Sequence, residues 1–418
     1  MARPRALISG ASIAGPALAF WLHRYGWDTM IVERAETLRT GGQNVDVRGA
    51  GREVARRMGI ESDIRTATTG EVGTRFVGRD GRTTAEFPAG TSDSGGATAE
   101  LEILRGDLAA LLVDRTADTT EYRFGDRITA LTDDAAAPGT GTGSGTGTGT
   151  GQVTASFEHA PDEAFDLVVA ADGLRSTTRR LVFGDEPDIR PLGLETSWAT
   201  IPRTASDDDW WRWYSAPGGR SLTLRPDPHG TIRAALSVVT SREPQSPDDT
   251  RRSPDEQRAR LRQVFAGAGW EVDRVLDAFD QADDLYFESI AQVRAPRWSS
   301  GRVALVGDAA YCASPVSGMG TSLSLAGAYV LAGEIAAHVD HRDAFRGYER
   351  IMRPYVDRAQ QLPPGTPRLA NPVSRPGVAA FGLALRLASL PVVKAVGGRL
   401  FTPPAEAIDL PDYAHLEQ

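Results

Sequence analysis

The stretch between residues 302 and 334 combines residue types that could hold a flat, electron-rich ligand. Its sequence is RVALVGDAAYCASPVSGMGTSLSLAGAYVLAGE. It predicts a short apolar strand that ends at Gly307 and Asp308, a loop containing Gly318 and Gly320, and then a helix. A carboxylate at the end of a strand can accept hydrogen bonds from ligand hydroxyls, and glycines let the backbone lie flat against a planar ring. Backbone N–H groups of the loop and of the helix N-terminus can face an electron-rich group.

A second stretch, near the N-terminus, could bind a pyrophosphate. GASIAG at residues 10–15 follows an apolar strand, and Gly10, Ser12 and Gly15 occupy the three glycine positions of a dinucleotide fingerprint. The middle serine adds one hydroxymethyl group, which strains close phosphate approach without excluding it. Glu33 ends the next predicted strand, 23 residues after Gly10, where an acidic residue suits a ribose hydroxyl pair. A glycine-rich turn without a ligand is the alternative.

Three further charged residues stand beside predicted turns. Asp172 follows a buried strand in VVAADGLRS, where it could serve a ligand or cap the next helix. Asp46 follows two glycines in TGGQNVDVR and could contact a ligand or be a solvated loop carboxylate. Arg105 stands at the start of a predicted helix. The helix dipole disfavours a cation there, which favours a bound anion beside Arg105 over a plain surface arginine.

Together, the stretches around residues 10, 172 and 308 resemble the fingerprint set of the single-component flavin-dependent aromatic hydroxylases, the para-hydroxybenzoate hydroxylase type. The tetracycline-inactivating flavin monooxygenases belong to that group, and the resemblance spans residues 5–360. It implies bound FAD and an α/β fold. The FAD-binding positions that it implies are Gly10, Ser12, Ile13, Ala14, Gly15, Glu33, Arg34, Asp46, Arg105, Asp172, Gly307, Asp308, Gly318, Met319, Gly320 and Thr321.

The resemblance assigns catalysis to the flavin-ring loop through Pro315, Gly318 and Gly320, and it assigns no side-chain acid or base. Pro315 has no N–H group and is rigid, so it can wall the site. The loop's backbone N–H groups can face the pyrimidine side of the ring, where reduced flavin is anionic. The commonest family form has a histidine after Asp-Ala-Ala, whereas this chain has Tyr311, so the presence of a titrating group there is open.

The resemblance implies an FAD-dependent monooxygenase that uses NADPH or NADH and dioxygen. It would hydroxylate an aromatic or polyketide-like small molecule, in antibiotic or secondary metabolism, through a flavin hydroperoxide. The choice of NADH or NADPH, the substrate, and a Baeyer–Villiger-type or epoxidation outcome are open. One alternative is another flavin oxidoreductase on this scaffold, either a halogenase or an oxygen-independent reductase; a flavin-bearing binding protein without turnover is another. The halogenase W-x-W-x-I-P motif is not present as such, since the chain has W-R-W-Y at residues 211–214.

The composition of the chain bears on its partners, on metal binding and on membrane insertion. A net charge of −9 over 418 residues argues against a nucleic-acid groove or an anionic membrane surface as the main partner. The six histidines show no ligand spacing, and we expect no metal. The one cysteine, Cys312, fits a reducing cytoplasm and is expected to be a small buried filler, with a reactive thiol as the alternative. The longest apolar stretch, 378–396, contains Arg386, Pro391 and Lys394 and is not expected to span a membrane.

The elements that must position these residues change type along the chain. Strands and helices alternate near the N-terminus, whereas short alternating runs between residues 183 and 287 predict an antiparallel sheet. We predict a Rossmann-like FAD-binding domain, an antiparallel-sheet substrate domain and a C-terminal helical segment. The FAD-binding domain is predicted to comprise residues 1–182 and, as its second part, 289–361. The substrate domain is predicted to comprise residues 183–288, with a contribution from 72–97. Residues 362–418 are predicted to form a helical tail laid across both domains.

Aromatic residues concentrate in the predicted substrate domain. Five of the eight tryptophans lie between residues 198 and 270, where they could line a pocket for a small aromatic substrate or pack in the core. The substrate-contact candidates are Trp211, Trp213, Arg220 and Arg225. The sequence leaves the choice between monomer and homodimer open.

Deleting residues 140–150 should leave folding and flavin content almost unchanged. This segment, TGTGSGTGTGT, has no apolar side chain larger than a threonine methyl, and a shorter loop costs little closure entropy. Thermal unfolding and the flavin-to-protein ratio of the purified variant check this. A melting temperature lower by many degrees would show that the segment is packed.

Overall fold

The computed structural model describes residues 3–39, 41–89, 101–133, 151–240, 253–363, 365–390 and 408–418. The Thr- and Gly-rich segment 140–150 lies outside these ranges, as do residues 391–407 of the predicted tail. Within the ranges, no helix is long and apolar enough to cross a membrane.

Eighteen strands and twelve α-helices are described. The strands are β1 (Arg5–Ser9), β2 (Asp28–Glu33), β3 (Asn44–Asp46), β4 (Gly73–Val77), β5 (Thr83–Pro88), β6 (Glu102–Leu104), β7 (Thr120–Phe124), β8 (Ile128–Asp133), β9 (Val153–Phe157), β10 (Glu163–Phe165), β11 (Leu167–Ala170), β12 (Asp188–Pro202), β13 (Trp211–Ala216), β14 (Arg220–Pro226), β15 (Thr231–Val239), β16 (Tyr286–Arg294), β17 (Ser299–Ser300) and β18 (Val303–Leu305). The helices are α1 (Ala14–Arg24), α2 (Gly49–Arg57), α3 (Glu61–Thr66), α4 (Arg105–Asp114), α5 (Thr177–Phe183), α6 (Pro254–Phe265), α7 (Val272–Gln281), α8 (Asp308–Tyr311), α9 (Gly320–Ala337), α10 (His341–Ala359), α11 (Thr366–Ala370) and α12 (Arg375–Ala388).

A six-stranded sheet carries the motifs of the FAD-binding domain. Its order is β17-β18-β11-β1-β2-β7, and all neighbours are parallel except β17 and β18. Helices including α1, α9 and α10 cover one face, and the small sheet β10-β9-β8 covers the other. Strands buried on both faces must be apolar throughout, which explains the sequence LVVA of β11. Because β1, β11 and β18 are parallel neighbours, the turns that follow them meet at one edge of the sheet.

A seven-stranded sheet, with the order β16-β12-β15-β14-β13-β4-β5, forms the predicted substrate domain. Alternate residues such as Leu222, Leu224 and Leu236 point to a core under helices α6 and α7. Their sequence neighbours form the opposite face, which we call the polar face because it mixes aromatic and polar side chains. Members of the polar face include Phe76, Trp198, Trp211, Trp213, Ser215, Arg225, Tyr286 and Glu288.

The α/β fold class predicted from the sequence is confirmed, and several elements differ in extent. The predicted hairpin that turns at Asp80-Gly81 is present as β4 and β5, and it joins the seven-stranded sheet. Strand β16 begins at Tyr286 and pairs with β12, although the sequence suggested that the chain leaves the substrate domain near Ser289. The two-stranded sheet of β3 and β6 was missed because three-residue strands show no measurable alternation. The domain boundaries stay predictions.

Two described segments of the C-terminal tail contact different parts of the molecule, one the seven-stranded sheet and the other helix α9. Phe381 of α12 packs edge-to-face on Phe76, with ring centroids 6.1 Å apart. Near the C-terminus, Tyr413 packs against Tyr329, and its hydroxyl donates to Glu334 Oε1 at 2.6 Å. A side chain at Gly333 would collide with the Tyr413 ring, so this glycine is required for docking.

Replacing Tyr413 should show how strongly the last residues hold the FAD-binding domain. Tyr413→Phe removes one donor from buried Glu334 and should cost about 1–3 kcal/mol of unfolding free energy. Tyr413→Ala also opens a cavity under a side chain that is 5% exposed, and should cost about 3–5 kcal/mol. Chemical denaturation measures both values. The control Leu383→Ala removes a side chain that is 59% exposed on α12 and should change little. Equal stability of all variants would contradict the docking.

Candidate active site

The first turn of the six-stranded sheet has no room for side chains. Gly10 has a φ of +111°, and a Cβ there would lie 2.7 Å from the carbonyl oxygen of Ala171. A Cβ at Gly15 would collide with the carbonyl oxygen of Gly10. The turn therefore packs closely on the end of β11 and delivers the N-terminus of α1 to the sheet edge. The backbone of Ile13 and Ala14 faces this region, whereas their side chains are buried in the core.

Glu33 holds the N-terminal turn in place. Its Oε2 accepts a hydrogen bond from Ala11 N at 3.1 Å, and its Oε1 accepts one from Ala35 N at 3.0 Å. Each carboxylate oxygen keeps a further lone pair, so a ribose hydroxyl can still donate to it. Arg34 is exposed beside this carboxylate.

Arg105 connects the N-terminal turn with the double-glycine loop. Its Nη1 donates to Ser12 Oγ at 3.1 Å, and its Nη2 donates to the Gly41 carbonyl oxygen at 2.8 Å. A Cβ at Gly42 would lie 2.7 Å from Arg105 Nε, so the loop can pass this close to the guanidinium because residue 42 has no side chain. The structure thus brings the middle residue of the fingerprint and a cation together at the N-terminus of α1, where an anion would be stabilised.

Asp308 follows β18 and opens helix α8. Burial raises the pKa of its carboxyl, while the Cys312 thiol and the Arg105 guanidinium act to lower it. Among the described residues no backbone N–H group donates to this carboxyl, and the Cys312 thiol donates to the Ala291 carbonyl oxygen at 3.7 Å. The carboxyl is therefore not used to cap the turn and is available to a ligand hydroxyl. Gly307 has a φ of +64°, and a Cβ there would lie 3.0 Å from the Ala14 Cβ.

The loop between α8 and α9 exposes backbone rather than side chains. Gly318 is left-handed at φ +63°, and a Cβ there would meet only Asp46 Oδ2 at 3.9 Å. A Cβ at Gly320 would meet no described atom within 4 Å. This open strip of backbone lies between Pro315 and the N-terminus of α9. The side chains of Met319 and Thr321 are buried. The N–H groups of Gly318 and Met319 donate within the loop, to the Pro315 carbonyl oxygen and to Ser317 Oγ, so the N–H groups left for a ligand are those of the first turn of α9, beginning at Gly320.

Asp46 belongs to a buried ion pair that the sequence did not reveal. Arg48, whose side chain is 2% exposed, donates from Nη2 to Asp46 Oδ2 at 2.9 Å. The backbone N–H of Arg48 donates to Ser322 Oγ, and that hydroxyl donates to the Arg48 carbonyl oxygen. Asp46 is thereby fixed beside the Gly318 loop. The two-residue spacing of Asp46 and Arg48 along a short strand was the available signal.

Asp172 caps helix α5. Its carboxylate accepts hydrogen bonds from Ser176 Oγ and, at 3.1 Å, from Thr178 N. Nearby Arg179 is buried and donates to the Ala309 carbonyl oxygen at 2.8 Å, which ties α5 to the turn after β18. The capping alternative therefore describes the contacts of Asp172, and any role toward a cofactor stays a prediction.

Tyr311 points into the core. Its ring packs on Trp298 with centroids 4.7 Å apart, and Tyr348 OH donates to its hydroxyl at 2.9 Å. Burial raises the pKa of Tyr311 to about 12. The residue at the family's histidine position therefore supplies no group that titrates near neutral pH. Cys312 is buried, and burial raises the pKa of its thiol.

Glu288, on the polar face, is a titratable group that the sequence did not indicate. Burial and the neighbouring Asp308 carboxyl raise its pKa to about 7. Tyr286, on the same strand, stacks on Trp198 at 4.9 Å and donates to Gln43 Oε1 at 2.6 Å. These contacts place the polar face against the FAD-binding domain. No sequence pattern marked Glu288, because its neighbours come from distant segments.

The four substrate candidates separate onto two faces. Trp211 and Trp213 lie on the polar face, with ring centroids 5.3 Å apart, and Arg225 lies 4.1 Å from the Trp211 ring centroid. Arg220 belongs to the opposite face, because it alternates with Ser221 in strand β14. It donates to the carbonyl oxygens of Pro217 and Val264 at 2.8 and 3.0 Å. The structure thus groups three of the four candidates.

The residues present fit FAD. A diphosphate would fit at the turn that begins at Gly10, because glycines leave the backbone bare there. Arg105 supplies a positive charge at this turn, and the N-terminus of α1 supplies N–H groups. The carboxyl of Asp308 lacks a backbone partner and suits a hydroxyl donor. The strip at Gly318 and Gly320 is bare of side chains, as a flat ring requires. Within the described residues, no group of three or more His, Cys, Asp or Glu residues could hold a metal ion.

Comparison with known proteins agrees with this geometry. The family described as FAD binding domain matches residues 4–361. The flavin-dependent monooxygenase eupH of a Phoma species is 35% identical over 397 residues, covering 90% of this chain and 89% of that protein. The crystal structure of tetracycline destructase Tet(51) superposes with a TM-score of 0.78 at 30% identity, covering 98% of this chain and all of that chain. An uncharacterised protein of Mycobacterium tuberculosis, Rv1260, is 38% identical over 362 residues, covering 85% of this chain and 91% of that protein.

These matches span nearly all of the described fold and include every loop at the shared sheet edge. The chain belongs to the FAD binding domain family and is an FAD-dependent monooxygenase.

Proposed function

We propose that this monooxygenase takes electrons from NADPH or NADH and inserts one atom of dioxygen into an aromatic or polyketide-like small molecule. One observation carries the proposal. The turns after three neighbouring parallel strands pack against each other at one sheet edge, the last of them leads into a side-chain-free strip at Gly318 and Gly320, and an aromatic, polar sheet face lies against the same domain. The route of oxygen transfer that the sequence resemblance implies is part of this proposal.

FAD would lie along the carboxyl edge of the six-stranded sheet. The turn from Gly10 to Gly15 and Arg105 would hold the diphosphate, and Glu33 would accept from the adenosine ribose. Asp308 would accept from a ribityl hydroxyl, and the backbone from Gly318 to Thr321 would face the ring. When bound, the cofactor supplies the activation of dioxygen, and the protein supplies orientation and exclusion of water.

The chain's own residues would control the environment of the ring. The N–H groups at the N-terminus of α9, beside the Gly318 strip, are fixed dipoles that stabilise negative charge without reorganising. Pro315 presents no donor and closes one side of the strip. Asp46 is held in place by Arg48, so the carboxylate nearest Gly318 is oriented before any ligand binds. No side chain of the strip acts as an acid or base in this proposal.

The substrate class follows from the polar face and from the relatives. The aromatic rings of Trp198, Trp211 and Trp213 suit a flat aromatic molecule, and the interspersed polar groups suit one that carries oxygen substituents. One relative of known structure is named a tetracycline destructase. We therefore propose polycyclic, oxygen-substituted aromatics as substrates. A cytoplasmic location and a monomeric or homodimeric state stay predictions from the sequence.

The proposal is tested by measuring NADPH and NADH oxidation with a panel of phenols, hydroxyanthraquinones and tetracyclines. Substrate-stimulated oxidation, oxygen uptake and a product heavier by one oxygen atom are expected for at least one compound. Bound FAD without stimulated oxidation by any compound would favour a binding protein. A product with a halogen, or reduction that continues without oxygen, would favour the other flavin oxidoreductases.

Replacing Asp308 separates a cofactor role from a structural one. Asp308→Ala removes an acceptor that bonds no backbone N–H group, so the protein should stay folded and lose most of its FAD. Asp308→Asn keeps one side-chain oxygen and should retain more FAD. Flavin absorbance per protein and melting temperature are measured on the same samples, and excess FAD should restore part of the activity.

Asp340→Ala provides the control. Asp340 caps α10 through Arg342 N at 2.8 Å, at the surface and away from the sheet edge. Its loss should lower the unfolding free energy by about 1 kcal/mol without changing the flavin ratio. If Asp308→Ala behaves like this control, Asp308 is a structural residue.

A further inference from the structure

Five buried polar atoms on or beside the polar face have no hydrogen-bond partner in the described part of the chain. They are Glu71 Oε1, Thr74 Oγ1, Trp211 Nε1, Trp213 Nε1 and Ser215 Oγ. Thr74 and Trp211 are direct partners across β4 and β13, so these atoms form one neighbourhood. More than about 90% of buried polar groups in proteins are paired. A group of exceptions on one face indicates that a polar ligand supplies the missing partners.

Glu71 enters this neighbourhood through Arg225. The guanidinium donates from Nε to Glu71 Oε2 at 2.9 Å and from Nη2 to Glu102 Oε2 at 2.5 Å. Its centre lies 4.1 Å from the centroid of the Trp211 ring. The Glu71 carboxyl and the Trp211 ring are therefore both in contact with one guanidinium. The Glu71 side chain is 2% exposed, so solvent does not satisfy its second oxygen.

Two carboxyls share the single positive charge of Arg225. Glu102 has a full set of donors, because its Oε1 also accepts from Asn44 Nδ2 at 2.6 Å and from Thr69 Oγ1 at 2.7 Å. Both oxygens of Glu102 are thus supplied with donors. Glu71 has one donor only. Burial, with the nearby Glu102 and Asp46 carboxylates, raises the pKa of Glu71 to about 8 against the attraction of Arg225.

We propose that Glu71, Trp211 and Trp213 form a donor subsite that binds acceptor oxygens of the substrate, such as the carbonyl oxygens of a quinone or polyketide ring. This inference rests on the proposed function and adds the residue Glu71 and the polarity of the ligand. The indole N–H groups can only donate. Below its pKa the Glu71 carboxyl donates from Oε1, because Oε2 accepts from Arg225. A cationic amine would meet donors and would be rejected.

The test uses oxidised, FAD-loaded protein without reductant, and the probe is anthraquinone-2-sulfonate. This probe presents acceptor oxygens only, and none of its groups titrates in the range used. Its Kd is measured from quenching of tryptophan fluorescence and from perturbation of the flavin absorbance, at about pH 6.5 and about pH 9.5, on either side of the Glu71 pKa. The cationic 9-aminoacridine serves as a probe of opposite polarity.

Wild-type protein should bind the anthraquinone about tenfold more weakly at the higher pH, as expected for a lost hydrogen bond. Glu71→Gln keeps a neutral donor and an acceptor for Arg225, so its Kd should change with pH much less than that of the wild type. Any change that remains belongs to Glu288, which lies on the same face and has a pKa of about 7. Trp211→Phe and Trp213→Phe keep an aromatic ring and remove the N–H group together with the five-membered ring of the indole, and each should weaken binding about tenfold at both pH values.

Glu195→Gln is the matched control. Glu195 is also a glutamate paired with an arginine, Arg260, but it lies on the opposite face of the same sheet. Its variant should bind both probes as the wild-type protein does.

Absence of anthraquinone binding, or variants that bind it like the wild type at both pH values, would overturn the subsite. So would tighter binding of 9-aminoacridine that is lost in Glu71→Gln, because that would show an ionised Glu71 acting on cations. Protein that carries no FAD would instead contradict the proposed function. Flavin absorbance, recorded on every sample, distinguishes these failures.

Discussion

The candidate site depends on three places where the chain cannot carry a side chain. Gly10 lies against the end of β11, Gly15 lies against Gly10, and Gly307 lies against Ala14. Through these contacts, the turns after β1, β11 and β18 pack directly against each other. A methyl group at Gly10 or Gly15 must displace backbone, which is more costly than displacing a flexible side chain, and one at Gly307 would press on the Ala14 Cβ and Ser324 Oγ. The close packing of these turns is what leaves backbone N–H groups, rather than side chains, facing the sheet edge.

A buried ion pair and a hydrogen bond connect the seven-stranded sheet to the FAD-binding domain. Arg225 of β14 pairs with Glu102 of β6, and Tyr286 of β16 bonds Gln43 beside β3. Charges that are taken out of water must stay paired, because removing one partner leaves the other unsolvated. The two sheets can therefore shift little relative to each other without breaking these pairs. Polar contacts, together with the apolar cores, therefore fix the distance between the Gly318 loop and the polar face.

The parts of the site that the sequence predicts are those determined by local conformation. The turn at Gly10, the strip at Gly318 and the carboxyl at Asp308 each lie within a single strand–turn–helix segment, so residue type and spacing suffice. The role of Glu71 could not be predicted, because its partner Arg225 is 154 residues away. Arg220 and Arg225 look equivalent in sequence, yet strand alternation sends them to opposite faces. The sequence also left open whether a titrating group stands at Tyr311. Its ring packs on Trp298 and its hydroxyl bonds Tyr348, and both partners are distant in sequence or lie on another element.

The burial of Tyr311 changes where protons can be exchanged. With its pKa at about 12, this tyrosine cannot replace a histidine as a group that titrates near neutral pH. The carboxyls whose pKa values lie in that range are Glu288, at about 7, and Glu71, at about 8. Glu288 is on the polar face of the seven-stranded sheet, and Glu71 is paired with Arg225 from that face, so neither belongs to the glycine loops. Under the proposed function, the six-stranded sheet would offer fixed dipoles that do not titrate, and proton exchange with a substrate would fall to the polar face.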